Sequence, residues 1–347
     1  MKHGAQPVGP VPEAIPPEPD ARPYEAGGED RLVRSAPGTL LLVHAVLAAL
    51  VQIGWSLLPD GTFGLSKVSL QGYVIAAALM QGACILVPTL AVAGGYGITP
   101  RMILGRSLPR PGGLILAAAA GIPAAVVLTG LNNIAVYFIA QTGFVLPAPS
   151  PLRIAATSTE MWTVLIALGV IVPGLVEELM FRGVIQGSME HVGARRSAVL
   201  LPALAFALFH ADPLFVLAPF GAGLLLGYLR SSTGSVFAPM AAHITLNLTL
   251  FLVRPLLPQW RDAVAGAGFD AGQLLVISIV ATVVGLIAAV PVLLAFGSTM
   301  FRRSTAPIRL HGEQPEPKAF LEWRFLAGLA LLAVFLWFLY SFSLSLV

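Results

Sequence analysis

Of the polar residues between Pro173 and Asn247, six stand out as able to do chemistry together: Glu177, Glu178, Arg182, His210, His243 and Asn247. They stand in three short patterns: Glu-Glu-Leu-Met-Phe-Arg at 177–182, Phe-Ala-Leu-Phe-His at 206–210 and His-Ile-Thr-Leu-Asn at 243–247. Each pattern lies in a segment apolar enough to span a bilayer, where an ionisable group costs several kcal/mol unless it pairs or faces a cavity. Glu178 and Arg182 are four residues apart and share one helical face, so they can pair and lower the cost of burying both. Glu177 lies about 100° around the helix from Glu178 with no cation near it in sequence. It is the carboxylate left available, a candidate general base. His243 and Asn247, also four apart, project together and can donate paired hydrogen bonds to a developing oxyanion; alternatively, His243 can ligate a metal.

The elements that must hold these groups follow from composition. Of 347 residues, 56% are hydrophobic and 11% charged, with a mean hydropathy of +0.84. That excludes an ordinary soluble domain and predicts an all-α, polytopic integral membrane bundle. Apolar segments long enough to cross ~30 Å of hydrocarbon are expected at 39–58, 71–95, 112–140, 160–188, 196–211, 213–230, 235–253, 272–298 and 325–346. These are about nine helices, eight if one of the short pair joined at Ala211-Asp212-Pro213 does not cross. The proline-rich residues 1–37 read as a disordered tail, 38–157 as N-terminal membrane helices, 158–253 as the core that carries the three patterns and 254–347 as C-terminal membrane helices. With the N-terminus cytoplasmic, fifteen Lys and Arg fall on the cytoplasmic side and four on the other, Arg182 alone lying inside a span. That asymmetry sets the orientation. It also ties the basic isoelectric point to lipid headgroups rather than to nucleic acid. The sole cysteine, Cys84, allows no disulfide within the chain and no cysteine-based metal site.

Counted from the cytoplasmic helix ends at ~1.5 Å per residue, Glu177 lies ~16 Å deep, His210 ~21 Å, His243 ~12 Å and Asn247 ~18 Å. Three helices thus bring their polar groups to similar depths.

Together with Gly-Tyr-Leu-Arg-Ser-Ser-Thr-Gly-Ser-Val-Phe-Ala-Pro-Met-Ala-Ala-His at 227–243, these patterns resemble the CPBP intramembrane proteases, also called the type II CAAX prenyl endopeptidase or ABI family. The resemblance covers about 160–250, with all three motifs in order. It implies an endopeptidase in which Glu177 activates water together with His210, while His243 and Asn247 stabilise the oxyanion. Glu178, Arg182 and Phe206 would support the site. The implied substrate is a membrane-associated peptide, CAAX-like and prenylated or of the bacteriocin-leader type. The tail and loop composition places the chain in a bacterial plasma membrane.

Other readings of the same residues stand beside this one. Glu178 and Arg182 could be a packing pair only, and His44 a hydrogen-bonded packing residue. Asn132 and Asn133 could line a cavity or bond between helices. Glu177, His210 and His243 could form a two-histidine, one-carboxylate zinc site, although their spacing is not that of a His-Glu-x-x-His helix; the preferred reading is metal-free. A proton-coupled transporter would use Glu177 and the histidines as a relay, but the inverted repeats expected of such a fold are not found. A non-catalytic immunity or scaffold protein would not need every presumed catalytic position filled.

Overall fold

The computed structural model describes residues 28–59, 61–62, 69–105, 108–142, 159–192, 197–210, 216–253, 271–301 and 323–344. Among them there is no strand, as hydrocarbon requires of a backbone that must satisfy its own hydrogen bonds. The helices are α1 (Gly28–Leu57), α2 (Leu70–Gly95), α3 (Pro100–Leu104), α4 (Pro111–Gln141), α5 (Thr159–His191), α6 (Ser197–Phe209), α7 (Leu217–Thr233), α8 (Phe237–Val253), α9 (Ala271–Phe301) and α10 (Trp323–Leu344). Setting aside the one-turn α3, these match the nine expected apolar segments. Five of them, α1, α2, α4, α5 and α9, are long and apolar enough to cross a membrane. This is a polytopic helical membrane protein.

One boundary moves. Residues 28–37, which composition assigned to the tail, are helical, because Val33 and Ala36 are buried in the same core as Phe325 and Leu332 of α10. Burial against a neighbouring helix supplies what local composition lacks. The rest of the tail, the turn at 211–213, the 157/158 boundary and most of the loop cations lie outside the described residues.

The bundle is built on α4, which packs against α8 on one side and α9 on another through small residues that let backbones approach. A Cβ on Gly121 would come within 2.3 Å of Ala242 O, and one on Gly130 within 2.2 Å of Thr282 Oγ1. The Thr245 hydroxyl adds a bond across the α4–α8 contact, donating to Ala118 O at 2.6 Å. On α9, Leu274, Ser278, Thr282 and Phe296 are buried, whereas Val276, Val280, Val283, Ile287 and Leu294 are exposed. That division leaves α9 one protein face and one lipid face.

One end of the bundle gathers the start of α1, the end of α2, α3, and the turn between α7 and α8. The Thr39 and Tyr96 hydroxyls bond at 3.0 Å, Arg230 Nη2 donates to Met102 O at 2.7 Å, and Val236 N donates to Leu104 O at 3.1 Å. These are the helix ends that the loop charges assigned to a single side. Gly105 closes this contact with a φ of +98°, and a Cβ there would stand 2.0 Å from Gly234 O. Both backbone and space demand glycine. Gly105→Ala is therefore expected to destabilise the fold by about 1–3 kcal/mol, read as a lower midpoint of thermal unfolding in detergent; an unchanged midpoint would show that α3 is not anchored here.

Two helices widen locally. In α2, residues Ala78–Leu86 form i→i+5 turns, and α5 does the same at Ala167–Ile171 and Leu179–Gln186. Such turns are uncommon and concentrate at functional sites. In α5 the first of them has a visible cause: Pro173 has no N–H to give, and Val172 N–H reaches back to Ala167 O just before it.

Candidate active site

The node of the site is the Glu178 carboxylate on α5, fully buried. Its Oε1 accepts from Arg182 Nη1 at 2.7 Å and from His243 Nδ1 on α8 at 2.9 Å. The first bond is the pairing expected from spacing. The second was not visible in the sequence, because the partners lie on different helices. Arg182 is also fully buried; its Nη2 donates to Gly223 O on α7 at 3.3 Å, and its guanidinium lies 4.5 Å from the centre of the Phe206 ring. Desolvation of such a cation is offset only when carboxylate, carbonyl and aromatic face act together. Phe206 also meets the rings of His210 and His243 edge-on, at 4.7 and 5.7 Å between centroids.

His210 follows the last residue of α6, and its Nδ1 lies 2.8 Å from Phe206 O. A carbonyl can only accept, so Nδ1 carries the proton and the neutral ring keeps its lone pair on Nε2. The same reasoning applies to His243, whose Nδ1 faces a carboxylate. Both rings are thus fixed by one nitrogen, leaving the other for a ligand.

His210, His243 and Asn247 line one cavity together with Thr129, Phe206 and Leu128. Three of the four residues singled out as catalytic therefore converge. Glu177 does not line this cavity. It is 5% exposed and accepts from Gln81 Nε2 on α2 at 2.9 Å, and it lies within electrostatic reach of His210. Gln81 and Thr129 are the residues that sequence reasoning missed. Gln81 left a signal, an amide in the middle of an otherwise apolar span; Thr129 left none.

A second cavity lies beside the first, between α4, α7 and α9, with a lining that is almost wholly apolar: Ala124, Val127, Leu128, Gly221, Leu225 and Leu286 among others. Leu128 is a wall of both cavities.

A zinc site on Glu177, His210 and His243 would require the three side chains to point at one place. Among the described residues no three His, Cys, Asp or Glu side chains converge as a group able to hold a metal ion.

Residues 159–249 match the family model described as Rce1-like, type II CAAX prenyl endopeptidase. The matched stretch coincides with the one over which the motifs carry the resemblance and contains Glu177, Glu178, Arg182, Phe206, His210, His243 and Asn247. Helices α1 to α4, α9 and α10 lie outside it. No curated protein and no solved structure matches the chain.

Proposed function

With residues 159–249 matching the Rce1-like, type II CAAX prenyl endopeptidase family, we propose that the protein is an intramembrane endopeptidase whose water is activated by glutamate. One observation carries the reading: His210, His243 and Asn247, from two helices, converge on a single cavity.

Glu177 takes a proton from a water oriented by the Nε2 lone pair of His210, and the water oxygen attacks the scissile carbonyl carbon. The carbonyl oxygen gains the charge, and Asn247 and His243 donate to it. Donation from His243 Nε2 requires the ring to be protonated on both nitrogens, because Nδ1–H is committed to Glu178. In that form His243 and Arg182 balance the charges of Glu177 and Glu178. Glu177 then passes its proton to the leaving amine as the C–N bond breaks. Glu178 and Arg182 act one step removed, holding His243 and Phe206 in place. No step needs a metal.

The substrate we propose is a membrane-associated peptide carrying a CAAX-like prenyl chain, entering from the bundle end that holds the α1 start and α3, which we take as cytoplasmic. The neighbouring apolar cavity offers about 140 Å³. A dry apolar cavity of ~150 Å³ holds a six-carbon ring, so this one suits an isoprene unit. Its common wall at Leu128 would keep the prenyl chain beside the scissile bond.

The test uses the purified full chain in detergent, with a quenched prenylated peptide, its unprenylated counterpart and transmembrane leader peptides. The wild type is expected to cleave the prenylated peptide with a rate indifferent to chelators. Gly221→Leu, whose side chain would drive into Leu128, 2.5 Å from the first added carbon, should raise KM for the prenylated peptide about tenfold and leave the unprenylated one nearly unchanged. Cleavage of leader peptides alone would reassign the substrate. No cleavage of any peptide would return the chain to the transporter or scaffold readings.

A further inference from the structure

The contact that the motifs do not account for is the one between Gln81 and Glu177, and we propose that Gln81 is the positioning residue that holds the catalytic glutamate in its working orientation. The inference rests on the reading of Glu177 as the base.

Gln81 lies on α2, outside the matched segment, ninety-six positions before Glu177 in the chain. It stands within the widened turns of Ala78–Leu86. Its Nε2 donates to Glu177 Oε1 at 2.9 Å, whereas its own Oε1 is buried with no partner among the described residues. A carboxylate can only accept, so the amide must present its nitrogen; the partnerless oxygen shows that the side chain is not held from its other end. The donor therefore fixes one oxygen of Glu177, and the proposed mechanism assigns the second to the reacting water.

The chemistry of the donor matters. A lysine or arginine in this place would pair with Glu177 as Arg182 pairs with Glu178, stabilising the charged carboxylate and weakening it as a base. A neutral amide orients the carboxylate with one hydrogen bond and adds no charge. The two adjacent glutamates are thus given different roles by their partners. Glu178 is bound to a guanidinium and an imidazole, and Glu177 to an amide.

The experiment compares wild type, Glu177→Ala, Gln81→Met and Gln81→His on the same prenylated peptide. Thermal unfolding is measured for each, as is the infrared carboxyl band of Glu177, identified by its loss in Glu177→Gln. Gln81→Met keeps the shape and deletes the donor. It should lower kcat about 10- to 100-fold, leave KM within about twofold and the unfolding midpoint within a few degrees, and move the band. Gln81→His restores an N–H at similar reach and should recover most of the rate. Wild-type kcat and an unmoved band in Gln81→Met, beside an inactive Glu177→Ala, would overturn this inference and leave the proposed function standing. A lower kcat with an unmoved band and a depressed midpoint would make Gln81 a strut between α2 and α5. An active Glu177→Ala would overturn the reading of Glu177 as the base, and the role of Gln81 with it.

Discussion

Glu177→Gln eliminates peptide cleavage while leaving the protein folded in the membrane. The substitution is nearly isosteric, and the new side chain can still accept from Gln81 Nε2 through its amide oxygen, as the carboxylate does at 2.9 Å. What disappears is the ability to take a proton from water and return it to the leaving amine. General acid–base groups contribute about 10²- to 10⁴-fold, and here one residue serves both proton transfers, so the upper part of that range is expected. The measurement is turnover of the quenched prenylated peptide beside thermal unfolding of the same preparation. Full activity in the variant would sink the glutamate mechanism. A low activity accompanied by a collapsed unfolding midpoint would place Glu177 in the packing instead.

The helices could be read from the chain because they depend on local quantities. Apolar runs of bilayer length fix the spans. The Glu178–Arg182 pair was legible for the same reason, its four-residue spacing being enough to predict the 2.7 Å bond. What escaped depends on how helices are rotated against one another. Nothing local says that Glu178 faces His243 or that Gln81 faces Glu177, separated by 65 and 96 positions. The widened turns in α2 and α5 change that rotation, and a periodicity of 3.6 residues gives no sign of them. The helical start at Gly28 was hidden by a charged, proline-containing composition that only packing against α10 overrides. The family match likewise reaches only 159–249, so the role of α2 in the site emerges from the assembled bundle alone.

Arg182→Met destabilises the protein more than Gly105→Ala does. Arg182 and Glu178 are both fully buried, and removing the cation leaves a carboxylate whose only remaining partner among the described residues is His243. Breaking a buried pair from one side costs about 3–5 kcal/mol, which should lower the unfolding midpoint by on the order of 10 °C. The cost comes from the unpaired charge that stays buried more than from the hydrogen bond that is removed. Removing both members should therefore restore much of the stability: Glu178→Leu with Arg182→Met replaces the pair by apolar groups of similar volume. The double variant should nonetheless cleave poorly, because His243 Nδ1 has lost the acceptor that orients the ring towards the cavity. A stable and inactive double variant beside an unstable single one separates the two tasks of Glu178, neutralising Arg182 and aiming His243. An Arg182→Met protein with wild-type thermal stability would show that the pair does not hold the bundle together. A double variant with wild-type turnover would show that His243 needs no help from Glu178.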